Sequence, residues 1–339
     1  MPIDPLSFAR QLIDIPSPTE QEHEVGEFLD AALANAGFAT RRQAVTDTRF
    51  NLFASAGGRP RVVINSHIDT VPPWFASAED DEYIYGRGAC DTKGVIAAMI
   101  SAGERLRARG VHDFAFLFVV GEETDSIGAK AANEEFASLG SEYIVVGEPT
   151  ESKFARASKG AVTVTLRFEG KAAHSAYPHL GDSAINRMVA AIAEINAADW
   201  GTHEILGKAT PNVGVVRGGE RPNIIPALAE CDALFRIVTT PEDLVSRLGE
   251  LIAKHGGTIV AQRGNGPQFM TVPAGQPSQV VAFNTDVPWL GALGKPLLFG
   301  PGSILDAHGA NEKIAKRDLL AAVDTYEEMV ISLLEGRVS

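Results

Sequence analysis

The sequence contains few cysteines, few basic residues and no long hydrophobic run. Its 339 residues include two cysteines, Cys90 and Cys231, which lie far apart and outside any CxxC pattern. This argues against a disulfide framework and favours a reducing cytoplasm. No run reaches about 18 consecutive apolar residues and the N-terminal segment lacks a signal-peptide pattern, so we expect no membrane contact. A net charge of −13 argues against a nucleic-acid-binding surface, which is usually basic.

Short apolar runs alternate with helical patterns towards both ends of the chain. Hydrophobic residues make up 45% of the sequence, which is enough for a large core. The predicted buried strands are residues 61–65, 114–120, 143–146 and 296–299. The predicted helices are residues 5–13, a helix opened by a capping box at 17–20, and residues 92–109, 126–139, 278–290 and 317–334. This alternation indicates an α/β fold with a mostly parallel sheet sandwiched by helices.

The middle of the chain has a different pattern. Residues 161–169, 212–216 and 227–238 alternate apolar and polar side chains, as half-exposed antiparallel strands do. Helical patterns at 182–197 and 241–255 and a strand at 258–262 complete a βαββαβ order, which is typical of a small α+β domain. We therefore predict a catalytic domain made of residues 1–157 and 265–339, with residues 158–264 inserted as a second domain.

Ionisable side chains follow nearly every predicted strand of the α/β domain. In such folds ligands bind at the carboxyl ends of the strands. The residues at these ends, together with one acid before the next helix, are His67, Asp69, Asp91, Glu122, Glu123, Glu148 and His308. Each alone has an ordinary explanation, such as a loop histidine, a solvated acid or a helix cap. Their recurrence at strand ends favours one common crevice.

Side chains of this kind suit a metal site. Histidine, aspartate and glutamate are ligands for zinc, cobalt or manganese, and burying several carboxylates together without cations would be prohibitively unfavourable. An aspartate shared between two ions leaves each ion two further ligands, and such a pair can polarise a carbonyl and acidify a water. The adjacent Glu122 and Glu123 point in different directions, so one can bind metal while the other acts as general base.

Other chemistries fit the same region less well. The segment GRGACDTKG, residues 86–94, matches neither the GxxxxGK[ST] nor the GxGxxG phosphate loop, which disfavours a nucleotide-dependent oxidoreductase. Cys90 has no obvious adjacent base, so we expect a buried structural thiol rather than thiol catalysis.

Five motifs together resemble the co-catalytic zinc metallopeptidase family that includes acetylornithine deacetylase, succinyl-diaminopimelate desuccinylase and carboxypeptidase G. They are HIDTVP (67–72), GRGACDTKG (86–94), GEET (121–124), GEPT (147–150) and GPGSILDAHGANE (300–312). The resemblance covers nearly the whole chain. It is nearest to acetylornithine deacetylase, because GEPT is followed by Lys159-Gly160 and GPGS precedes His308. It implies a catalytic domain with an inserted lid and dimerisation domain.

The resemblance also implies two metal sites that share one ligand. His67, Asp91 and Glu148 would hold one zinc ion, and Asp91, Glu123 and His308 would hold the other, with cobalt or manganese as alternatives. It further implies a cis peptide bond after Asp91.

The remaining implied roles concern catalysis and substrate binding. In the catalytic domain Glu122 would be the general base and Asp69 would hydrogen-bond the second ring nitrogen of His67, while Gly302 and Ser303 would line the substrate pocket. In the inserted domain His174 would reach the partner subunit's active site and bind the oxyanion. Asn223 and Arg236 would hold a substrate carboxylate, which a guanidinium can pair in bidentate fashion.

We therefore expect a cytoplasmic, homodimeric, zinc-dependent amidohydrolase that removes an acyl group from a small N-acyl amino acid, with N-acetylornithine, in arginine biosynthesis, as the expected substrate. Succinyl-diaminopimelate desuccinylase and a hydrolase that frees lysine or ornithine from an amino-group carrier protein stay open as alternatives. A catalytically inactive metal-binding protein on the same scaffold is an alternative of another class, and the presence of Glu122 argues against it.

Overall fold

The computed structural model describes residues 2–337 and divides the chain into two compact units. The first contains the residues up to Arg156, Phe269–Gln279 and those from Thr285 onward, and the second contains Ala157–Gln268 and Val280–Asn284. The predicted boundaries differ from these by a few residues, because strand Gly257–Asn265 continues past position 264 and Val280 packs against the core of the second unit. Within residues 2–337 no helix combines the length and apolar character needed to cross a bilayer.

A six-stranded sheet forms the centre of the first unit. In spatial order its strands are Ala39–Ala44, Phe50–Ser55, Phe114–Val119, Val62–His67, Tyr143–Val146 and Lys295–Leu298. The first two pairings are antiparallel and the remaining three are parallel. The predicted mostly parallel sheet is confirmed. The strands Ala39–Ala44 and Phe50–Ser55 were not predicted. The first is an exposed edge strand that contains two arginines and little apolar surface.

Helices pack on this sheet. The α-helices of the first unit are Pro5–Ile13, His23–Asn35, Lys93–Ala108, Ile127–Phe136 and Lys316–Leu334. Helix Lys93–Ala108 approaches the sheet closely at Gly103, where an added Cβ would lie 2.4 Å from the ring of Phe116. The helix that follows Asp91 is therefore held tightly against the sheet.

Shorter elements complete this part of the chain. A small sheet contains Ala78–Glu79, Tyr83–Tyr85 and Lys313–Ala315. Strands Phe154–Ser158, Gln268–Phe269 and Ser278–Val281 lie where the chain passes from one unit to the other. Short 3-10 turns occur at Ala137–Leu139, Val287–Trp289 and Gly291–Leu293.

Two of the predicted helical features are wrong. The predicted helix 278–290 is strand Ser278–Val281 followed by the 3-10 turn Val287–Trp289, because consecutive valines favour extended backbone and Pro288 interrupts helical hydrogen bonding. The predicted capping box at 17–20 caps no helix. The second helix begins at His23 after Glu22 without a side-chain cap, and the hydroxyl of Thr19 instead donates to Asp69.

The second unit is an antiparallel sheet with helices on one face. Its four main strands, in spatial order, are Thr210–Gly218, Leu228–Ile237, Gly160–Glu169 and Gly257–Asn265. Every second residue of Leu228–Ile237 is buried, as the alternating pattern predicts, and these residues pack with helices Ala184–Ala197 and Pro241–Ala253. Minor elements are the paired strands Ala173–His174 and Ile224–Ile225, the pair Thr202–His203 and Gly207–Lys208, and the 3-10 turn Pro178–Leu180.

Candidate metal centre

The carboxyl ends of three neighbouring parallel strands bring the predicted ligands together. His67 is the last residue of Val62–His67, Glu123 follows Phe114–Val119, and Glu148 follows Tyr143–Val146. Because Val62–His67 pairs in parallel with both of the other strands, their ends lie at one edge of the sheet. His67 is thus fixed by sheet hydrogen bonds, while Glu123 and Glu148 lie in loops that begin where two of the paired strands end.

Asp91 lies between two histidines. One of its carboxylate oxygens, Oδ1, is 3.0 Å from His67 Nε2, and the other, Oδ2, is 3.2 Å from His308 Nε2. Glu148 Oε1 is 3.9 Å from His67 Nε2, and Glu123 lies 3.1 Å from His308 Nε2. The aspartate therefore faces a histidine–glutamate pair on each side. The peptide bond after Asp91 is cis, as the resemblance implies.

This arrangement fits two divalent cations. One ligand atom from each of His67, Asp91 and Glu123 lies within 4.8 Å of the others. A tetrahedral ion with bonds of about 2.0–2.2 Å holds neighbouring donors roughly 3.3–3.6 Å apart, which is close to the separations measured around Asp91. Imidazole nitrogen and carboxylate oxygen are ligands that zinc, cobalt and manganese share.

The charges of the cluster are poorly compensated by the protein alone. Burial raises the pKa of Glu122 and Glu148 well above the ordinary value. The pKa of Asp91 falls despite burial, because His308 and His67 hydrogen-bond to it. The hydrogen bonds that His308 donates to Asp91 and Glu123 raise the pKa of His308 to about 10. In the metal-free protein these groups are balanced by protons, and cations would take over that role.

The orientation of His67 is set by a backbone carbonyl. Its Nδ1 lies 3.0 Å from the carbonyl oxygen of Asp69 and 3.5 Å from the carboxylate Oδ1 of the same residue. Since a carbonyl can only accept a hydrogen bond, Nδ1 carries a proton, and deprotonation of Nε2 would leave its lone pair for a cation beside Asp91 and Glu148. Asp69 is thus adjacent to the second ring nitrogen as predicted, but its main chain makes the closer contact.

The carboxylate of Asp69 has other partners. Its oxygens accept hydrogen bonds from the backbone amides of Gly121, Glu122 and Glu123, at 2.9, 3.1 and 3.2 Å, and from the hydroxyl of Thr19 at 2.8 Å. The side chain therefore has a second role beside the one predicted for it. It holds the loop that carries both glutamates, because three amides of that loop donate to its oxygens.

The carboxylate of Glu122 is unpaired in the described part of the chain. Among residues 2–337 it has no hydrogen-bond or ion-pair partner, and the residue is only partly exposed. Glu123, by contrast, contacts His308. The two adjacent glutamates therefore have different surroundings, because Glu123 contacts a candidate metal ligand and Glu122 does not.

Gly302 and Ser303 lie in a loop packed beside Glu148. The backbone of Thr150 forms an isolated bridge with Ser303, and an added Cβ at Gly300 would lie 2.4 Å from the carbonyl of Glu148. The thiol of Cys90 contacts the carbonyl of Ser303 at 3.6 Å. Burial raises the pKa of this thiol well above its ordinary value, which suits the structural role predicted for it.

The residues predicted from the inserted domain lie in the second unit. His174 is exposed, and its strand pairs with Ile224–Ile225, so the carbonyl of Asn223 accepts the amide of Ser175 at 3.0 Å. Arg236 lies on strand Leu228–Ile237 between Thr210 and Ala161 of the adjacent strands. The structure thus brings His174 and the Asn223 backbone together.

Sequence reasoning missed several buried charged residues around the cluster. Arg87 and Glu312 form a buried ion pair, although both stand inside quoted motifs, GRGACDTKG and GPGSILDAHGANE. The amine of Lys93 donates to the carbonyl of Ile15 at 2.6 Å, and burial lowers its pKa to about 7. Asp286 is 1% exposed and falls in the segment wrongly predicted as a helix, so no sequence signal marked it.

The sequence of this chain matches a known peptidase family. Residues 63–332 match the model of peptidase family M20/M25/M40, and the chain belongs to that family. A probable carboxypeptidase of Aspergillus flavus is 35% identical over 379 residues, which cover 97% of this chain and 90% of that protein. The predictions of a metallopeptidase family and of an amide-hydrolysing enzyme are thereby confirmed.

Solved structures show the same fold. A tripeptidase from Staphylococcus aureus superposes with a TM-score of 0.79 at 21% identity, covering 98% of this chain and 99% of that one. A dinuclear metal binding peptidase of family M20 from Bacillus subtilis gives 0.71 at 16% identity, with 98% of both chains covered. The fold described above, a sheet-based catalytic unit with an inserted unit, is that of this family.

The buried Asp286 leads to a prediction about pH and stability. Burial raises its pKa to about 7, and although Ser126 approaches its carboxylate, neither oxygen attains hydrogen-bond geometry. The folded-state pKa of Asp286 exceeds the ordinary value of 3.8. The protonated group therefore contributes its full stability below the ordinary pKa, and this contribution is lost as the pH rises through about 7. In metal-free protein, Asp286→Asn should raise the unfolding free energy at pH 8 by on the order of 1–4 kcal/mol.

Denaturant unfolding of the variant and the wild type at pH 5 and pH 8, with chelator present, measures this effect. The gain should be larger at pH 8. Asp81→Asn, at an exposed position, is the control and should change little. An Asp286→Asn gain that is equal at both pH values would contradict the assignment.

Proposed function

We propose that this protein is a two-cation hydrolase that cleaves the amide bond between an acyl group and an amino acid whose α-carboxylate is free. The observation that carries the proposal is the position of Asp91. Its two oxygens face two separate histidine–glutamate pairs, and Glu122 stands beside them with no partner among residues 2–337. An inactive metal-binding scaffold would not need that free carboxylate.

The residues around Asp91 define where the cations would be held. His67, Asp91 and Glu148 would hold one, and Asp91, Glu123 and His308 the other, with zinc favoured over cobalt and manganese by the imidazole-containing ligand sets. When bound, such ions polarise the scissile carbonyl and lower the pKa of an attacking water.

Glu122 performs the proton transfers of the reaction. It takes a proton from the attacking water as the new carbon–oxygen bond forms, and it delivers that proton to the amide nitrogen as the carbon–nitrogen bond breaks. The products are a carboxylic acid and a free amine, so no proton is gained or lost by the enzyme over the cycle. The raised pKa of Glu122 suits both halves of this cycle, since the group must also act as an acid.

Glu122→Gln should abolish turnover and spare the cations. Loss of the general base is expected to lower kcat by at least on the order of a hundredfold, while elemental analysis should still find two ions per chain. The neighbouring Glu123→Gln is the matched comparison, because it removes a ligand and should lower the metal content. If Glu122→Gln keeps the wild-type kcat, or if the two variants lose metal equally, the division of roles is wrong.

An unpaired guanidinium supports recognition of a substrate carboxylate. Arg236 is partly buried, and among residues 2–337 it has no hydrogen-bond or ion-pair partner. It stands on the face of the sheet that the helices leave open, since the buried residues of its strand are those on either side of it. A half-desolvated guanidinium without an acid is a ready anion site.

Deacylases and carboxypeptidases of this kind cleave the same type of amide bond in different substrates. An N-acyl amino acid and a peptide's C-terminal residue present the same amide next to a free α-carboxylate. The name of the fungal relative, a probable carboxypeptidase, supports peptides as substrates. The resemblance to acetylornithine deacetylase supports N-acyl amino acids, with N-acetylornithine in arginine biosynthesis as one of them. N-succinyl amino acids and carrier-bound lysine or ornithine are further candidate substrates. We place the enzyme in the cytoplasm, where its two buried free thiols stay reduced.

Hydrolysis should require the free carboxylate. For a series containing N-acetylornithine, N-succinyl amino acids and dipeptides, each compound is compared with its carboxamide by kcat/KM. We expect the carboxamides to be poorer substrates, and Arg236→Met should reduce this preference by on the order of 10–100-fold, the value of a charged hydrogen bond.

Arg217→Met is the control, because that guanidinium is exposed and already paired with Asp232 at 2.7 Å. Equal kcat/KM for acids and carboxamides in the wild type would rule out the proposed carboxylate requirement. An unchanged preference in Arg236→Met would exclude this arginine.

The second unit offers a surface suited to a homodimer. The most exposed residues of helix Ala184–Ala197 carry no charge and are Asn186, Val189, Ala190, Ala193, Asn196 and Ala197, while the charged Arg187 and Glu194 beside them are paired with Asp182 and Lys254. Strand Thr210–Gly218 is an edge of the sheet and exposes Val215 and Val216 by 42% and 56%. An uncharged helix face near an unpaired strand edge favours an isologous twofold contact.

The contacts of the His174 ring leave its Nε2 as the hydrogen-bond donor. The backbone amide of Ala176 donates to its Nδ1 at 3.1 Å, so the proton of the neutral ring lies on Nε2. That exposed N–H is suited to an oxyanion in the active site of the partner subunit.

Subunit mixing tests whether His174 acts in trans. His174→Ala alone should lower kcat by about 10²–10³-fold without changing metal content. When His174→Ala chains exchange with Glu122→Ala chains, half of the dimers are mixed and each has one complete site, so activity should return to about one quarter of the wild type. If exchange is demonstrated and activity does not return, His174 does not act across a dimer.

A further inference from the structure

A buried ion pair lies behind the shared ligand of the candidate metal centre. Arg87 and Glu312 are 1% and 0% exposed, and Arg87 Nη1 is 2.5 Å from Glu312 Oε2. They are 225 residues apart in sequence. Burying such a pair is unfavourable unless its other polar atoms are also satisfied, so the remaining contacts of the pair show what it holds in place.

Glu312 holds the backbone of Asp91. Its second oxygen, Oε1, accepts hydrogen bonds from the backbone amides of Cys90 at 3.2 Å and Asp91 at 3.1 Å. Gly86, at the start of the same loop, donates its amide to the carbonyl of Glu312 at 3.0 Å. The loop that carries the shared ligand is therefore tied at both ends to one buried carboxylate residue.

Arg87 holds the backbone of His308. Its Nη2 donates to the carbonyl of His308 at 3.4 Å, and its Nε donates to the carbonyl of Pro73 at 3.2 Å. His308 has a positive φ of 62°, a left-handed conformation that is uncommon outside glycine, and it lies in an exposed stretch that continues to Asn311. Among residues 2–337 no other hydrogen bond reaches this carbonyl, so Arg87 is the group that ties the main chain of His308 to the loop of the shared ligand.

The other ligands have independent support. His67 belongs to a strand paired on both sides, Glu148 follows such a strand, and Glu123 is held through its amide by Asp69. Loss of the arginine would therefore displace His308 and leave the His67 and Glu148 side of Asp91 in place.

We propose that the Arg87–Glu312 pair positions Asp91 and His308 together, so that it sets the affinity of the Asp91–Glu123–His308 cation site more than that of the His67–Asp91–Glu148 site. The inference rests on the proposed two-cation function. Arg87 and Glu312 are positioning residues, because they contact the backbones of two ligands and neither cation. Substitutions of residues that orient metal ligands typically lower affinity by 10–100-fold.

The test is titration of Zn²⁺ into metal-free protein against a chromophoric chelator, which requires no activity measurement. The wild type should take up two ions. In Arg87→Met the first ion should bind within about threefold of wild type and the second 10–100-fold more weakly. Arg87→Lys keeps the charge for Glu312 but lacks the planar fork that reaches a second acceptor, so its second ion should be weakened to an intermediate degree. If Arg87→Met does not fold, the affinity of Arg87→Lys for the second ion is the deciding measurement.

Leu333→Ala provides a control matched for stability. Leu333 is fully buried in the core of the same unit and contacts no ligand, and its truncation should destabilise the fold about as much as loss of the arginine, as chelator-treated denaturation will show. Its second ion should bind as in the wild type. An equal loss in Leu333→Ala, an equal loss of both ions in the arginine variants, or a second ion within threefold of wild type would overturn the proposal. A wild type that takes up fewer than two ions would instead contradict the proposed function itself.

Discussion

The accumulation of buried carboxylates at one edge of the sheet is the constraint on which the rest of the structure depends. Asp91 and Glu148 are 5% and 4% exposed, and Glu122 and Glu123 adjoin them. No arginine or lysine pairs with these four side chains among residues 2–337, and two histidines supply the nearest positive charge. Such a cluster is stable only with bound protons or cations, and its ligand separations suit cations.

The fold meets this constraint by dividing the work between two kinds of support. Parallel strands deliver His67, Glu123 and Glu148 to one edge, because their carboxyl ends are in register. Buried charged residues then fix the loops that strands cannot fix. Asp69 gathers three amides of the glutamate loop, and the Arg87–Glu312 pair joins the loops of Asp91 and His308. Precise placement of metal ligands generally requires such supporting contacts.

The sequence was sufficient for the strand ends and insufficient for the contacts between distant segments. Residues 143–146 form the predicted strand without change, because a short β-branched run between turn signals has few alternatives. The apolar pattern at 278–290 did not distinguish helix from strand, and this concealed Asp286. Asp69 was marked by its place after a strand, yet its carboxylate partners, Thr19 and the amides at 121–123, come from elsewhere in the chain. Hydrogen bonds of that kind depend on tertiary geometry that no local pattern contains.

Anomalous X-ray diffraction from zinc-reconstituted crystals at the zinc absorption edge will show whether one aspartate joins two cation sites. We expect two anomalous peaks per chain, about 3.5–4 Å apart, one on each side of the Asp91 carboxylate. One peak would have His67 and Glu148 as its other neighbours, and the second would have Glu123 and His308. A single peak, or two peaks that do not share Asp91, would rule out the shared ligand.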